Sequence, residues 1–258
     1  MSDAAVVERP VLVMADDGAP SSDVAWLWVT SHRWQGWALE SVTVTEAPFP
    51  GGPVRGPVRS VPRTAPESAA FVSVDHLDVV GDPRVVLFER SDAALVVLGS
   101  HHHGHLGGLW AGSTTEWLVV RPSVPLLVAV HGHVTRTVAI CVDGSTSARR
   151  ALETFHSLPW SDGLEVTLVA VDDGATDVDR ALTEAEATFA GRRPPAVVRR
   201  VGAARREIPA HVREQCPDLV VLGTRGLTGL ARLTAGSTVS ALLKDRTANL
   251  LLAHSAEQ

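Results

Sequence analysis

Apolar and polar positions follow two rhythms along the second half of the chain. Short apolar runs with β-branched centres, such as LVVL at 219–222, suit parallel strands covered on both faces. Between them lie longer stretches with helical patterning. The pattern predicts strand 137–142, helix 146–157, strand 164–171, helix 176–191 and strand 196–201. It continues with helix 205–214, strand 218–222, helix 236–245 and strand 249–253. Ser145 to Ser147 offer N-caps before the first of these helices. Strands regularly separated by helices argue for an α/β fold with a parallel sheet.

The same items recur in the first half. VLVMADDGA at 11–19 mirrors VAICVDGS at 138–145, setting Asp17-Gly18 against Asp143-Gly144. LVVLG at 95–99 mirrors 219–223, Gly112-Ser113 mirrors Gly236-Ser237, and 126–130 mirrors 250–254. Two copies of this length predict two domains, 1–132 and 133–258, each able to build its own core. The seam falls in the polar stretch 131–136, too short to let the halves tumble independently. In the first copy, residues 47–68 stand where the second has a helix, and they contain six prolines. Proline lacks the helical donor and clashes with the preceding turn, so a long surface loop is expected there.

The spacing of glycines carries the chemistry. Gly223, Gly226 and Gly236-Ser237 leave two and nine residues between them, directly after a buried-type strand. Glycine lets main chain approach a ligand closely, and a helix start with unpaired N–H groups attracts phosphate.

This GxxG(x)9G[ST] spacing, with the strand-Asp-Gly-Ser at 138–145 and NLLLAH at 249–254, resembles the nucleotide-binding signature of the universal stress protein family. The likeness runs through 134–258 in the family's order. It implies two tandem doubly wound parallel-sheet domains of the adenine nucleotide α-hydrolase-like kind, binding ATP, with Mg2+ allowed. Asp143 then meets the ribose or adenine end, and Val171 or Ala170 forms part of the adenine slot. Main-chain amides of Gly223, Arg225 and Gly226 line the phosphates, Arg225 adding a cation. Gly236 opens the following helix, where Ser237 and Thr238 supply hydroxyls; Ser237 is also expected to cap it. In the family the last strands pair across dimers, so 125–130 and 249–254 are expected to form an internal pseudo-dimer. A homodimer of whole chains remains open.

Composition narrows the alternatives. The net charge is −6 and no basic run exceeds two residues, which argues against nucleic acid and anionic membranes as partners. No apolar stretch approaches 18 residues and no secretory apolar region is found, so a soluble, cytoplasmic protein is expected. Cys141 lies in a predicted strand and Cys216 just before another, positions that suit reduced packing thiols. The single lysine, Lys244, lies in KDR, so a Walker-type loop is impossible. No GxGxxG follows the first strand of either copy.

The first copy's loop is degenerate: His102 stands where the second glycine belongs. Asp17, Gly99 and Gly112-Ser113-Thr114 remain, and one nucleotide per chain is expected rather than two. His101, His102, His103 and His105 read as a solvated loop, since adjacent ligands rarely close a tetrahedral metal site. Six of the seven tryptophans lie in the first half, Trp26 and Trp37 toward a core; some of the six suit an interface.

No Asp, Glu or His occurs in 223–238, and Asp143 is the only acid of the constellation. Catalysis of phosphoryl chemistry needs a placed base or a metal-binding carboxylate near the phosphates. The reading is therefore a nucleotide-dependent regulatory protein with no catalytic residues and an unidentified protein partner. Its alternatives are a scaffold that binds no nucleotide and a slow ATP hydrolase.

Overall fold

A computed structural model describes residues 9–45, 62–100, 114–224 and 236–254. The first half contributes β1 (Val11–Ala15), α1 (Pro20–Ser31), β2 (Ala38–Thr45), β3 (Ser73–Val80), α2 (Pro83–Phe88), β4 (Leu95–Gly99), α3 (Thr114–Val120) and β5 (Leu126–Ala129). The second contributes β6 (Thr137–Cys141), α4 (Thr146–Ser157), β7 (Glu165–Asp172), α5 (Val178–Ala187) and β8 (Ala196–Val201). It ends with α6 (Ala204–Gln215), β9 (Leu219–Gly223), α7 (Ser237–Asp245) and β10 (Asn249–Ala253). Every predicted element of the second half is present, and α5 is shorter at both ends than its pattern suggested.

The strands form one sheet in the order β3-β2-β1-β4-β5-β10-β9-β6-β7-β8. Within each half all neighbours run parallel. The halves meet where β10 pairs antiparallel with β5, Leu251 opposite Leu127. The two last strands thus complete each other's open edge.

Side chains alternate between the faces along each strand. Leu12, Met14, Ile140 and Val221 face α1, α4 and α5, whereas Val13, Val220 and Leu222 belong to the opposite layer with α6 and α7. Each layer is continuous across β5 and β10, so the halves share their core instead of owning one each, as the repeat length had suggested. Trp28 and Trp34 of the first half are fully buried, and both make edge contacts with Trp160 of the second at 5.6 and 5.8 Å between ring centroids. Trp37 is buried as expected and Trp26 is partly buried. The indoles are therefore at once core and contact between the halves.

Two expectations are corrected. Cys216 is exposed, ending α6 in a left-handed conformation (φ 47°), because the chain must reverse there before β9. Only Cys141 is a packing thiol; burial, then the Asp143 charge, pushes it up to about 12. The proline-rich segment lies outside the described residues up to 61. From 62 onward it is irregular until a short 3-10 turn at Glu67–Ala69, but not merely surface, because the Arg63 side chain is buried to 6% exposure. Among the described residues, no helix is long and apolar enough to cross a membrane.

Candidate functional site

β6 pairs with β7 on one side and β9 on the other, so the strand order reverses beside β6. Parallel sheets open a crevice beyond the carboxyl ends of their strands at such a point. Three short segments meet there.

The first is the turn after β6. Asp143 Oδ1 accepts the Ser145 amide at 2.9 Å, and Gly144 takes φ 75°, a left-handed conformation that favours glycine. Ser145 then caps α4, its Oγ accepting the Ala148 amide at 3.2 Å. Asp143 is half-buried.

The second is the end of β9. A β-carbon on Gly223 would lie 2.5 Å from Ser147 Oγ and 2.7 Å from the Ala148 nitrogen. The glycine is required here because the first turn of α4 rests on it, a reason independent of any ligand. Thr224 follows, its amide donating to the Ala253 carbonyl at 2.9 Å and its Oγ1 lying 3.2 Å from His254 Nδ1. Thr224 was not singled out in the sequence; its place directly after Gly223 is the signal that marks it.

The third is the start of α7. A β-carbon on Gly236 would meet the Thr224 carbonyl oxygen at 3.0 Å, so the two ends of 225–235 lie against each other. Gly236 itself is the N-cap and has no side chain with which to cap the helix. Ser237 is exposed at the first helical position and does not cap the helix, contrary to expectation, because the turn begins one residue earlier. Thr238 is half-buried beside it.

The structure thus brings Asp143, Gly223, Gly236, Ser237 and Thr238 to one edge of the sheet. Arg225 and Gly226 lie outside the described residues, as do His101, His102, His103 and His105. Val171 stands one residue before the end of β7, next to this crevice, but its side chain is buried at 7% exposure in the layer with Cys141, Ile208 and Val239. Ala170 points to the other layer and is fully buried. At this strand end the outward-facing side chain is that of Asp172, whose Oδ1 accepts the Gly174 amide at 2.9 Å. Among the described residues no cluster of His, Cys, Asp and Glu suits a metal ion.

The first half repeats the frame. Asp17 Oδ1 accepts the Ala19 amide at 3.0 Å, Gly18 takes φ 71°, and a β-carbon on Gly99 would lie 2.2 Å from the Ser21 carbonyl oxygen. Ser100 donates to Ala129 as Thr224 does to Ala253. The difference lies at Asp16, where the second half has Val142. Arg63 Nη2 bonds Asp16 at 3.0 Å and Asp23 at 2.9 Å, and the guanidinium sits 5.4 Å above the Trp26 ring. Burial pushes the Asp16 carboxyl upward, but the Arg63 hydrogen bond and charge outweigh it and hold the carboxyl below its usual range.

The Universal stress protein family model matches residues 9–130 and 159–254. A universal stress protein of Mycobacterium tuberculosis is 29% identical over 194 residues, spanning 67% of this chain and 66% of that protein's length, just under two thirds. The crystal structure of a universal stress protein from Archaeoglobus fulgidus superposes with a TM-score of 0.72 at 17% identity, over 95% of this chain and 98% of that one. A putative universal stress protein from Pseudomonas aeruginosa gives 0.57 at 15% identity, over 95% and 93%. At such identities the two structures support the fold.

Proposed function

The chain belongs to the universal stress protein family, and on that premise we propose that its second half binds ATP and acts as a nucleotide-dependent regulator. The observation that carries this is the start of α7. Its N-cap is Gly236, which has no side chain to bond the first amides, and it lies beside Thr224, at the carboxyl end of a strand adjoining β6. Amides at a helix start and the positive dipole end favour an anion there.

The assignments follow from placement. Asp143 takes the ribose or adenine end, and the main chain of Gly223, Arg225 and Gly226 takes the phosphates. Gly236 gives them access to the helix start, where Ser237 and Thr238 add hydroxyl donors. Val171 contributes main chain beside the base, its side chain being committed to the core. No carboxylate or imidazole occurs in 223–238, so the segment given to the phosphates itself supplies no group to activate water. A turnover above about one per second would place the protein among ordinary enzymes and overturn this part.

Binding to the native state stabilises it by about 2.7 kcal/mol at a hundredfold excess over the dissociation constant, enough to shift a conformational population. The halves are taken as domains 1–132 and 133–258 of a cytoplasmic protein. Calorimetric titration of ATP, with and without Mg2+, into the wild type and Gly226→Trp tests the reading. The indole should abolish binding while the circular dichroism spectrum stays unchanged; equal affinity in both proteins would refute it.

A further inference from the structure

A cavity of about 140 Å³ opens between α4 and α5, beneath the Asp143-Gly144 turn and running away from it along the helices. It runs beside α4 from Ala148 to His156, roughly 12 Å at the helical rise. Its floor is Val142, Ala148, Leu152, Ala181 and Ala185. Three alanines where two packed helices usually interdigitate larger side chains leave the space unfilled.

The internal repeat shows what fills the counterpart. Gly99 meets Ser21 as Gly223 meets Ser147, which places Asp16, Ser22, Asp23 and Trp26 at the positions of Val142, Ala148, Arg149 and Leu152. Those four first-half residues are the ones that Arg63 touches, through hydrogen bonds to the first three and the ring of the fourth. The first half therefore plugs this space with its own guanidinium. Among the described residues the second half has no such arm, and it has replaced the two carboxylates by a valine and an arginine.

That exchange decides the class of occupant. A cation has lost both counter-charges. The two carboxylates on the rim are paired with other cations: Glu184 accepts from Arg180 at 2.7 Å and lies 3.9 Å from Arg149, and Glu153 lies 3.7 Å from Arg150, while Arg149 also donates to the Gly144 carbonyl at 2.6 Å. At the far end His156 Nε2 lies 2.9 Å from Thr188 Oγ1. What remains open is apolar. We propose that the α4–α5 cavity is a binding site for an uncharged apolar molecule, about the size of one aromatic ring or a branched aliphatic group. An apolar cavity of about 150 Å³ lined by Leu, Ile and Phe takes up benzene, which sets the scale.

Benzene is the probe. Methyl-resolved NMR of the full chain titrated with benzene should give saturable shifts at Val142, Ala148, Leu152, Ala181 and Ala185, with the first-half methyls near Trp26 unmoved. Ala181→Leu and Ala185→Leu, which fill the space, should each weaken the binding at least tenfold, and Ala185→Leu, on the turn of α5 farther from Asp143, should leave ATP titration unchanged. Absence of saturable shifts up to the solubility limit would overturn the proposal. So would shifts of equal size in both filled variants. If neither variant folds, the position of the wild-type shifts decides alone: elsewhere than the five methyls, the assignment fails.

Discussion

His32 Nε2 accepts the Thr135 main-chain amide at 3.0 Å, tying the end of α1 to the segment that joins the two halves. The other ring nitrogen, Nδ1, lies 2.7 Å from the Trp28 carbonyl oxygen, which identifies it as the protonated one. Trp28 and Trp160 enclose the imidazole at 4.5 and 4.2 Å. The ring is thus a neutral clamp inside the contact between the halves.

Burial pushes His32 down to about 4, the Trp28 hydrogen bond opposing and the His133 charge assisting. The unfolded chain takes up this proton near the ordinary value of 6.5, the native one only near 4. Its stability is therefore complete above pH 6.5 and declines as pH falls toward 4, by on the order of 3 kcal/mol. Native carboxylates such as Asp16 and Asp218, held below their usual range, lose their contribution only at more acid pH. Urea unfolding at pH 7.5, 6 and 5 should show the decline, and His32→Gln should flatten it. An unchanged slope in the variant would place the titration elsewhere.

Asp16 and Arg63 are each 6% exposed in their side chains. Removing the cation by Arg63→Met leaves a buried carboxylate unpaired and should cost about 3–5 kcal/mol. The double variant Asp16→Val, Arg63→Met replaces the ion pair by an apolar contact and should recover most of it. Chemical denaturation of the four proteins of this cycle measures both effects.

Gly99→Ala and Gly223→Ala place a methyl within 2.2 Å of the Ser21 carbonyl oxygen and 2.5 Å of Ser147 Oγ. Backbone and helix starts must shift, so each should destabilise by about 1–3 kcal/mol without any ligand present. Gly163→Ala, with φ 80° and nothing within 4 Å, isolates the cost of the left-handed conformation alone. Its melting temperature should fall less than in the other two.

One ATP equivalent per chain is the expected stoichiometry, since the first half lacks the second glycine of the spacing. Asp143→Ala should weaken binding about tenfold, whereas Asp17→Ala should leave the titration unchanged. Two equivalents would show that His102 does not obstruct the first site.

Much of this fold was legible in local patterns. Helix α4 and strand β8 lie where the periodicity set them, because a residue's avoidance of water and its capping neighbours are written within a few positions. The glycine spacing likewise pointed to a crevice beyond the ends of β6 and β9. The partners across the chain were not legible. His32 and Thr135 stand 103 residues apart, Arg63 and Asp16 47 apart, and nothing in either neighbourhood names the other. Gly223 looked like an approach to ligand and proved also to be the seat of α4. Ser237 looked like a cap and is not one, and Val171 turned its side chain into the core. Patterning records which residues leave water. Which of them meet is decided by how layers close on each other, and that happens only in three dimensions.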